Sequence, residues 1–344
     1  MNTIEFDQEL STFFLTKGTE KIPYRYYPNS TDVWSDLKDD DFIVEVLNNP
    51  FLNREIDRFC VKFNDSQETG GFIFPIALLE SEEALLESEE QQSTRLLSYM
   101  LVSFRSLLLS IKENHTGILS DSYKDAFILV VHKNTTPDFT LEEYLIPLAK
   151  YGFYKYQGAV EEKIKNIQII NEGKKNLRLK KTNSTNFSIG YVNELVTKRL
   201  CTTHDILTRF VLDYQIIELY ISEIHRKLLD ETVNKYKCKN ITKNDFSEKL
   251  KEISRESYQV RDLVKKIENE KECNDYKSEV EKLFNDVNYN PKNKGLDNLI
   301  YSLRNQIFHN YGMFIGYEEA LAKTIFEFEK LILLLLSKED ILNP

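Results

Sequence analysis

The second part of the chain, from about residue 203 onward, consists almost entirely of helix-forming sequence. Apolar residues recur there every three or four positions, and glycine and proline are rare. This period places the apolar side chains on one face of each helix, and that face must be buried against other helices. We therefore expect residues 195–344 to form an all-α bundle.

Five helices are expected in this bundle. The second is expected to begin after Asn244 or Asp245 as its N-cap, with Glu248 as the capping partner. A loop at residues 285–295 is marked by its Asn, Pro and Gly residues. The predicted helices cover about residues 206–236, 245–270, 276–284, 296–310 and 318–337.

The first part of the chain mixes the periods of strands and helices, which predicts an α+β domain at residues 1–190. Residues 125–134 form a short β-rich apolar run, and residues 165–182 alternate around Gly173 as a hairpin would. Residues 181–193 are the candidate linker to the bundle.

A long helix is expected at residues 76–111. It contains the sequence LLESEE twice, at residues 78–83 and 85–90, which gives one apolar stripe and one acidic face. The repeat is compatible with an interaction surface and with an ordinary solvated helix face.

The composition indicates a soluble cytoplasmic protein. No apolar run approaches the roughly 20 residues that span a bilayer, and no signal-peptide segment follows Met1. The cysteines lie too far apart for a paired metal site, so reduced thiols and no cofactor or metal are expected. The four cysteines are Cys60, Cys201, Cys238 and Cys273.

The net charge of −10 resides mainly in the first part of the chain. Residues 1–194 hold 21 basic and 30 acidic residues, against 24 and 25 in residues 195–344. The nearly neutral second part can still carry a local basic groove, so the charge neither requires nor excludes an RNA substrate.

One stretch of the fourth predicted helix, LIYSLRNQIFHNYGMF at residues 299–314, gathers polar side chains that can do chemistry. At 100° per residue, Asn305 and His309 share one face, and Arg304 and Tyr311 would share a neighbouring one. Gly312 is expected to adopt the left-handed conformation that ends the helix. The change in chain direction there would bring His309 and Tyr311 closer to Arg304.

These residue types fit RNA cleavage through the neighbouring 2′-hydroxyl. Such a reaction needs an acid or base that titrates near neutrality and a permanent cation for the charge on phosphorus. His309 and Arg304 can supply these two roles without a metal, and Asn305 can orient either the imidazole or a phosphate oxygen. The alternative is an ordinary C-terminal helix cap beside a surface charge.

The string RNQIFHNY closely resembles the R-x4-6-H motif of HEPN domains, and it fits the extended R-x4-H-x-Y form of HEPN toxins. The position of the motif, on a helix before an apolar last helix and after a long first one, is also similar. The resemblance covers about residues 195–344 and implies a HEPN-like helical bundle.

The resemblance further implies a metal-independent endoribonuclease of anti-phage defence, abortive infection or a toxin–antitoxin system. HEPN domains commonly dimerise so that two motifs face one cleft. By this resemblance, Arg304 and His309 are the catalytic pair and Asn305 is the polar residue that supports them. Glu218 is a candidate for the acidic residue that HEPN domains often place on an earlier helix. In toxins paired with a nucleotidyltransferase antitoxin, the residue at the position of Tyr311 is modified.

The implied partners are RNA, with tRNA as a candidate, a second copy of the chain, and an antitoxin or other defence protein; no membrane is expected. A basic cluster in the first part of the chain is a weak candidate for RNA contact, the alternative being a solvated hairpin edge protected by lysines. This cluster comprises Lys174, Lys175, Arg178, Lys180 and Lys181.

Two other functions remain open from the sequence. A catalytically silent HEPN scaffold would use the same bundle for dimerisation or partner binding. An enzyme with its site in residues 1–194 is the third possibility, although no P-loop, GxGxxG or HExxH sequence is found there.

Overall fold

The chain folds into two compact units in a computed structural model. One unit, the sheet unit, comprises Met1–Thr182 and Val196–Thr202, and the other, the helical unit, comprises Asn183–Leu195 and Thr203–Pro344. The structure describes residues 3–7, 12–17, 20–25, 38–52, 58–80, 90–111, 118–158, 175–182, 184–291, 293–338 and 340–341.

The described residues of the sheet unit up to Thr182 contain two sheets and three α-helices. The first sheet is antiparallel, with the order β1-β2-β3, and the second has six strands in the order β8-β4-β7-β6-β5-β9. The strands are β1 Thr3–Asp7, β2 Thr12–Lys17, β3 Glu20–Arg25, β4 Phe42–Asn48, β5 Phe59–Phe63, β6 Gly71–Pro75, β7 Ala126–His132, β8 Tyr154–Lys155 and β9 Asn176–Leu179. The helices are α1 Glu90–Ser110, α2 Leu119–Ser122 and α3 Leu141–Ala149.

The strand β7 lies at the centre of the six-stranded sheet, which confirms the strand predicted at residues 125–134. It pairs antiparallel with β4 on one side and with β6 on the other. Both of its faces are covered, so its side chains form a continuous apolar run rather than an alternating one. Gly71 lets β6 approach closely, because a Cβ atom there would lie 2.5 Å from the carbonyl oxygen of Val130.

The helix α1 shares one core with both sheets. Phe13 and Leu15 of the small sheet, Tyr99 and Phe104 of α1 and Phe72 of the large sheet belong to one buried cluster. The rings of Phe13 and Phe104 are 5.2 Å apart. Burial from three elements at once is what allows the small sheet to be stable, since a short sheet alone has too little core.

The long helix predicted for the first part of the chain was wrong in its first half. The helix predicted at residues 76–111 begins at Glu90 in the described chain; residues Ile76–Glu80 form a 3-10 helix in which Leu78 and Leu79 are buried. The rest of the LLESEE repeat lies mostly outside the described residues. The hairpin predicted at 165–182 stays a prediction, because its first half lies outside the described residues; its second half contains β9, which pairs in parallel with β5.

The linker predicted at residues 181–193 contains the first boundary between the two units, after Thr182, but the residues that follow this boundary are folded. A 3-10 helix, Ser184–Ser188, lies there, and its Asn186 is buried. The Asn186 side chain donates to the carbonyl of Leu336 and accepts from the amide of Ile341, so this segment is packed into the helical unit. A row of helical turns follows: α4 Gly190–Glu194, a π-helix at Leu195–Arg199 and α5 Leu200–Thr202.

The helical unit is built mainly of six further helices, one more than predicted. The segment predicted as one helix at 245–270 is interrupted at Ser254 and Arg255. Its N-cap is Thr242, which forms a reciprocal capping box with Asp245 rather than the predicted cap with Glu248. The helices are α6 Ile206–Lys237, α7 Lys243–Ile253, α8 Glu256–Lys265, α9 Lys271–Asp286, α10 Leu296–His309 and α11 Glu318–Lys338.

A buried ion pair joins the first and last of these helices. Arg209 of α6 binds Glu329 of α11 through two nitrogens, at 2.7 and 3.0 Å, and the guanidinium also donates to the carbonyl of Thr203. Further along the same helices, the Tyr220 hydroxyl donates to the carbonyl of Leu335. These polar contacts fix the register of α6 against α11 inside an otherwise apolar core.

No helix in the described part of the chain is both long enough and apolar enough to cross a membrane.

Candidate active site at the end of α10

The helix α10 carries the R-x4-H sequence and is anchored by an apolar stripe. Leu299, Leu303 and Ile307 are buried at helical spacing, which orients the helix in the bundle. The intervening residues Arg304 and Asn305 are therefore placed at the flank of the core, where both are half-buried.

The Arg304 guanidinium is held between two aromatic rings. It lies 5.2 Å from the ring centroid of Phe308, on the next turn of α10, and 5.9 Å from that of Tyr214 of α6. Its Nη1 donates to Oδ1 of Asn305 at 3.0 Å, whereas Asn305 was expected to orient the His309 imidazole or a phosphate oxygen. The Nε of Arg304 is buried and has no hydrogen-bond partner in the described chain, so one donor of the fork is unused.

The sequence did not reveal that Tyr214 and Glu256 belong to this group. The Tyr214 hydroxyl donates to Oε1 of Glu256, the first residue of α8, at 2.6 Å. Burial is the main cause that raises the pKa of Tyr214, and the Glu256 carboxylate adds to it, while the Arg304 charge opposes it. Tyr214 has the spacing of a core residue, and nothing in one helix predicts its contact with another.

The predicted supporting residue Glu218 lies one turn beyond Tyr214 on α6. Its side chain is exposed, and its negative charge contributes to the raised pKa of Tyr214. Glu218 makes no hydrogen bond to Arg304 in the described chain. It can act on the cluster of Arg304, Tyr214 and Glu256 only as a nearby charge.

His309 is the last residue of α10, and its imidazole is exposed. It makes no hydrogen bond or ion pair within the described part of the chain. Five residues of ideal helix separate it from Arg304, which corresponds to about 140° of rotation and about 7.5 Å of rise. The two side chains therefore leave the helix in different directions.

The prediction that Gly312 ends the helix in a left-handed conformation was wrong. The C-cap is Asn310, whose side chain donates to Gln306 at 2.9 Å. Gly312 lies inside a 3-10 helix, Tyr311–Phe314, and the positive φ of 87° belongs to Gly316. The chain after His309 thus continues in a tight turn, which leaves Tyr311 exposed.

The basic cluster of the first part of the chain belongs to the sheet unit. Lys174 lies outside the described residues, and Lys175 and Lys180 are exposed. The Arg178 guanidinium donates to Gln67 at 3.3 Å, and Lys181 forms a 2.8 Å ion pair with Glu143. This lysine lowers the pKa of Glu143, so the charge of Lys181 is already matched within the sheet unit.

The sheet unit also has an open cavity of about 330 Å³ between α1 and β4. Its rim carries Asp39 and Asp40, and Asp39 is bound by both Nε and Nη2 of Arg105. Ser106 and Ser110 add hydroxyl groups above an apolar floor. The cavity can accept a small molecule with both apolar and hydrogen-bonding parts.

Among the described residues, no three His, Cys, Asp or Glu side chains gather in a way that could hold a metal ion. Comparison of the chain with protein-family models, with curated proteins and with solved structures gave no match.

Proposed function

We propose that this protein is a HEPN-type endoribonuclease that cleaves RNA without a metal. The observation that carries the proposal is the Arg304 guanidinium, held by Asn305 and two aromatic rings, on the same helix as the exposed His309. A fixed cation and a titratable group at one helix end are what phosphodiester cleavage by the 2′-hydroxyl requires.

In the proposed reaction, the 2′-oxygen attacks phosphorus and the bond from phosphorus to the 5′-oxygen breaks. One His309 takes the proton of the 2′-hydroxyl, and the leaving 5′-oxygen receives a proton from the second His309 of the dimer or from water. Arg304 stabilises the negative charge on the phosphorane oxygens, and Asn305 holds the guanidinium in place. The products are a 2′,3′-cyclic phosphate and a free 5′-hydroxyl.

The divergence of Arg304 and His309 around α10 supports a site composed of two chains. In a homodimer with α10 from each copy at one cleft, the arginine of one chain can serve the same phosphate as the histidine of the other. Each dimer would then contain two such pairs.

The proposed biological role is in anti-phage defence or as a toxin in the cytoplasm, with RNA such as tRNA as the target. The sheet unit would sense a trigger, bind an antitoxin or restrain the nuclease, and the cavity beside Asp39 is the place for a small trigger. Tyr311 is exposed and therefore accessible to a modifying enzyme.

The test is cleavage of total RNA and tRNA by the purified protein in EDTA, with mapping of the product ends. Arg304→Ala and His309→Ala should each lower the rate about 100-fold or more. Arg226→Ala, which removes an exposed arginine of α6, is the matched control and should cleave normally. Retained cleavage in both site variants would refute the proposal.

Mixing the two inactive variants tests the composite site. A mixed dimer of Arg304→Ala and His309→Ala chains holds one intact pair if the pair spans two chains, so activity should partly return. If each chain carries a complete site, mixing restores nothing.

A catalytically silent scaffold is the second candidate, and one observation favours it. The Arg304 guanidinium already has contacts within its own chain, to Asn305, Phe308 and Tyr214. A purely structural arginine would give an inactive protein that still forms a stable dimer or partner complex. Arg304→Ala would then lower the thermal stability of the protein, and it would not change any rate of RNA cleavage.

A further inference from the structure

Four large exposed side chains lie within ten residues of sequence around the turn after α10, and they are called the aromatic cluster below. Phe308, Tyr311, Ile315 and Tyr317 are exposed to 48%, 38%, 70% and 39%. Among the described residues, only three other large apolar side chains are comparably exposed, and they are scattered elsewhere in the sequence. Single exposed apolar residues are ordinary, whereas four within ten residues of sequence indicate a binding surface.

The cluster touches the candidate site directly. The Phe308 ring lies 5.2 Å from the Arg304 guanidinium and 6.5 Å from the buried ring of Phe210, so one part of it is anchored while nearly half stays exposed. Tyr311 similarly has its ring 6.4 Å from that of the buried Phe314. Anchored, half-exposed rings lose little side-chain freedom when a flat ligand stacks on them.

The backbone of this turn leaves room for a ligand. An added Cβ atom at Gly312 or Gly316 would meet nothing within 4 Å. Both glycines therefore face open space.

We propose that this cluster is a stacking platform for the bases of single-stranded RNA beside the scissile phosphate. The inference rests on the proposed ribonuclease function and specifies its substrate. Three of the four side chains are aromatic, and base–aromatic stacking is the main sequence-tolerant contact in single-strand binding. Bases held in a duplex are already stacked on one another and cannot use such a platform.

The size of the cluster favours bases over a protein partner. Side chains of this size at these exposures offer on the order of 400 Å² of surface, whereas a stable protein interface buries about 800 Å² on each side. An area of this order accommodates two or three stacked bases.

The charges around the platform predict how binding responds to salt. Glu318 accepts from the amide of Gly316 and Glu319 is paired with Lys323 at 2.8 Å, so both carboxylates that follow the turn are engaged but remain charged. Arg304 and His309 are the groups that can meet phosphates. Binding is therefore dominated by stacking, and it should depend weakly on salt, with about one or two phosphates neutralised.

The experiment uses the full-length chain carrying His309→Ala, so that RNA is bound but not cleaved. Fluorescence anisotropy measures the affinity for a short fluorescein-labelled single-stranded RNA and for the same RNA in a duplex. Tyr311→Leu and Tyr317→Leu keep an apolar side chain but remove the aromatic face, and each should weaken single-strand binding about tenfold. Tyr236→Leu, at an equally exposed tyrosine of α6, is the control and should bind like the parent.

Several results would overturn the platform. These are equal affinity for duplex and single strand, unchanged binding in both leucine variants, or no binding by the parent chain. Conversion of a dimeric parent into a monomer by the leucine substitutions would also overturn it, because the cluster would then be a protein interface. Circular dichroism confirms that the variants remain folded.

The two proposals fail differently. If RNA cleavage and RNA binding are both unchanged in Tyr311→Leu and Tyr317→Leu, the platform is refuted and the ribonuclease proposal stands. If single-strand binding depends on Tyr311 and Tyr317 but the unmodified protein cleaves no RNA, the platform stands and the ribonuclease proposal is refuted.

Discussion

The hydroxyl of Tyr214 donates a 2.6 Å hydrogen bond to Glu256 while the ring of the same tyrosine lies against the Arg304 guanidinium. Three helices, α6, α8 and α10, therefore meet through one side chain. The position of Arg304 depends on this tyrosine, because the ring limits where the guanidinium can lie.

Replacing Tyr214 by phenylalanine should separate the two roles of this side chain. The ring contact to Arg304 is kept, and the hydrogen bond to the carboxylate is lost, so the free energy of unfolding should fall by about 1–2 kcal/mol. Urea denaturation measures this loss. Glu256→Gln retains an acceptor and should cost less; a larger loss in Glu256→Gln would show that the hydrogen bond is not the relevant contact.

The two glycines after α10 should respond differently to alanine. Gly312 has no positive φ and nothing within 4 Å of an added Cβ atom, so Gly312→Ala should be neutral or stabilising by up to about 1 kcal/mol. Gly316 has a φ of 87°, and Gly316→Ala should cost about 1–2 kcal/mol. Thermal unfolding compares them, and the reverse order would place the left-handed residue at Gly312 after all.

Removing one partner of the buried pair between Arg209 and Glu329 should strongly destabilise the helical unit. Arg209→Met leaves the Glu329 carboxylate buried without its cation and should cost about 3–5 kcal/mol. The double variant with Glu329→Leu should recover much of this loss, because no charge is left buried. Additive losses in the double-mutant cycle would contradict a direct coupling between the two residues.

Asp213 should make the helical unit less stable as the pH rises. Its carboxylate is fully buried and unbonded in the described chain; burial and the charge of Glu329 raise its pKa, and Arg209 opposes them. The folded state then holds a proton on Asp213 that the unfolded state releases above about pH 3.9. The contribution of Asp213 to the free energy of unfolding is therefore fully present below that pH, and it is lost as the pH rises toward the pKa of the folded state.

Asp213→Asn removes this titration without changing the size of the side chain. Relative to the unmodified protein, the variant should gain free energy of unfolding as the pH rises above about 3.9 toward the raised pKa of folded Asp213, as measured by urea denaturation. A difference that does not change with pH would show that Asp213 is not protonated in the folded state.

The sequence predicted those parts of the fold that depend on local pattern. The periodicity of apolar residues located α6, α10 and α11 to within a residue or two, and the apolar run at 125–134 located β7. It failed at the break between α7 and α8, because Ser254 and Arg255 carry no strong helix-breaking signal.

The candidate site was predictable only in its local part. Arg304, Asn305 and His309 stand out because they are close together in sequence, and the contact from Arg304 to Asn305 follows from adjacency. Tyr214 and Glu256 come from helices whose packing no single segment specifies. The wrong assignment of Gly312 arose because two glycines follow the helix, and their backbone conformations depend on how the turn to α11 closes.

The contacts of Asn186 have a consequence for the timing of folding. Its side chain binds the carbonyl of Leu336, 150 residues later in the chain, so the helical unit can close only after that distant segment has left the ribosome. At about 5–20 residues per second, this delay is on the order of ten seconds. Until then Asn186 lacks this partner, so the 3-10 helix that carries it completes its packing later than α6 to α10, which are made before Leu336.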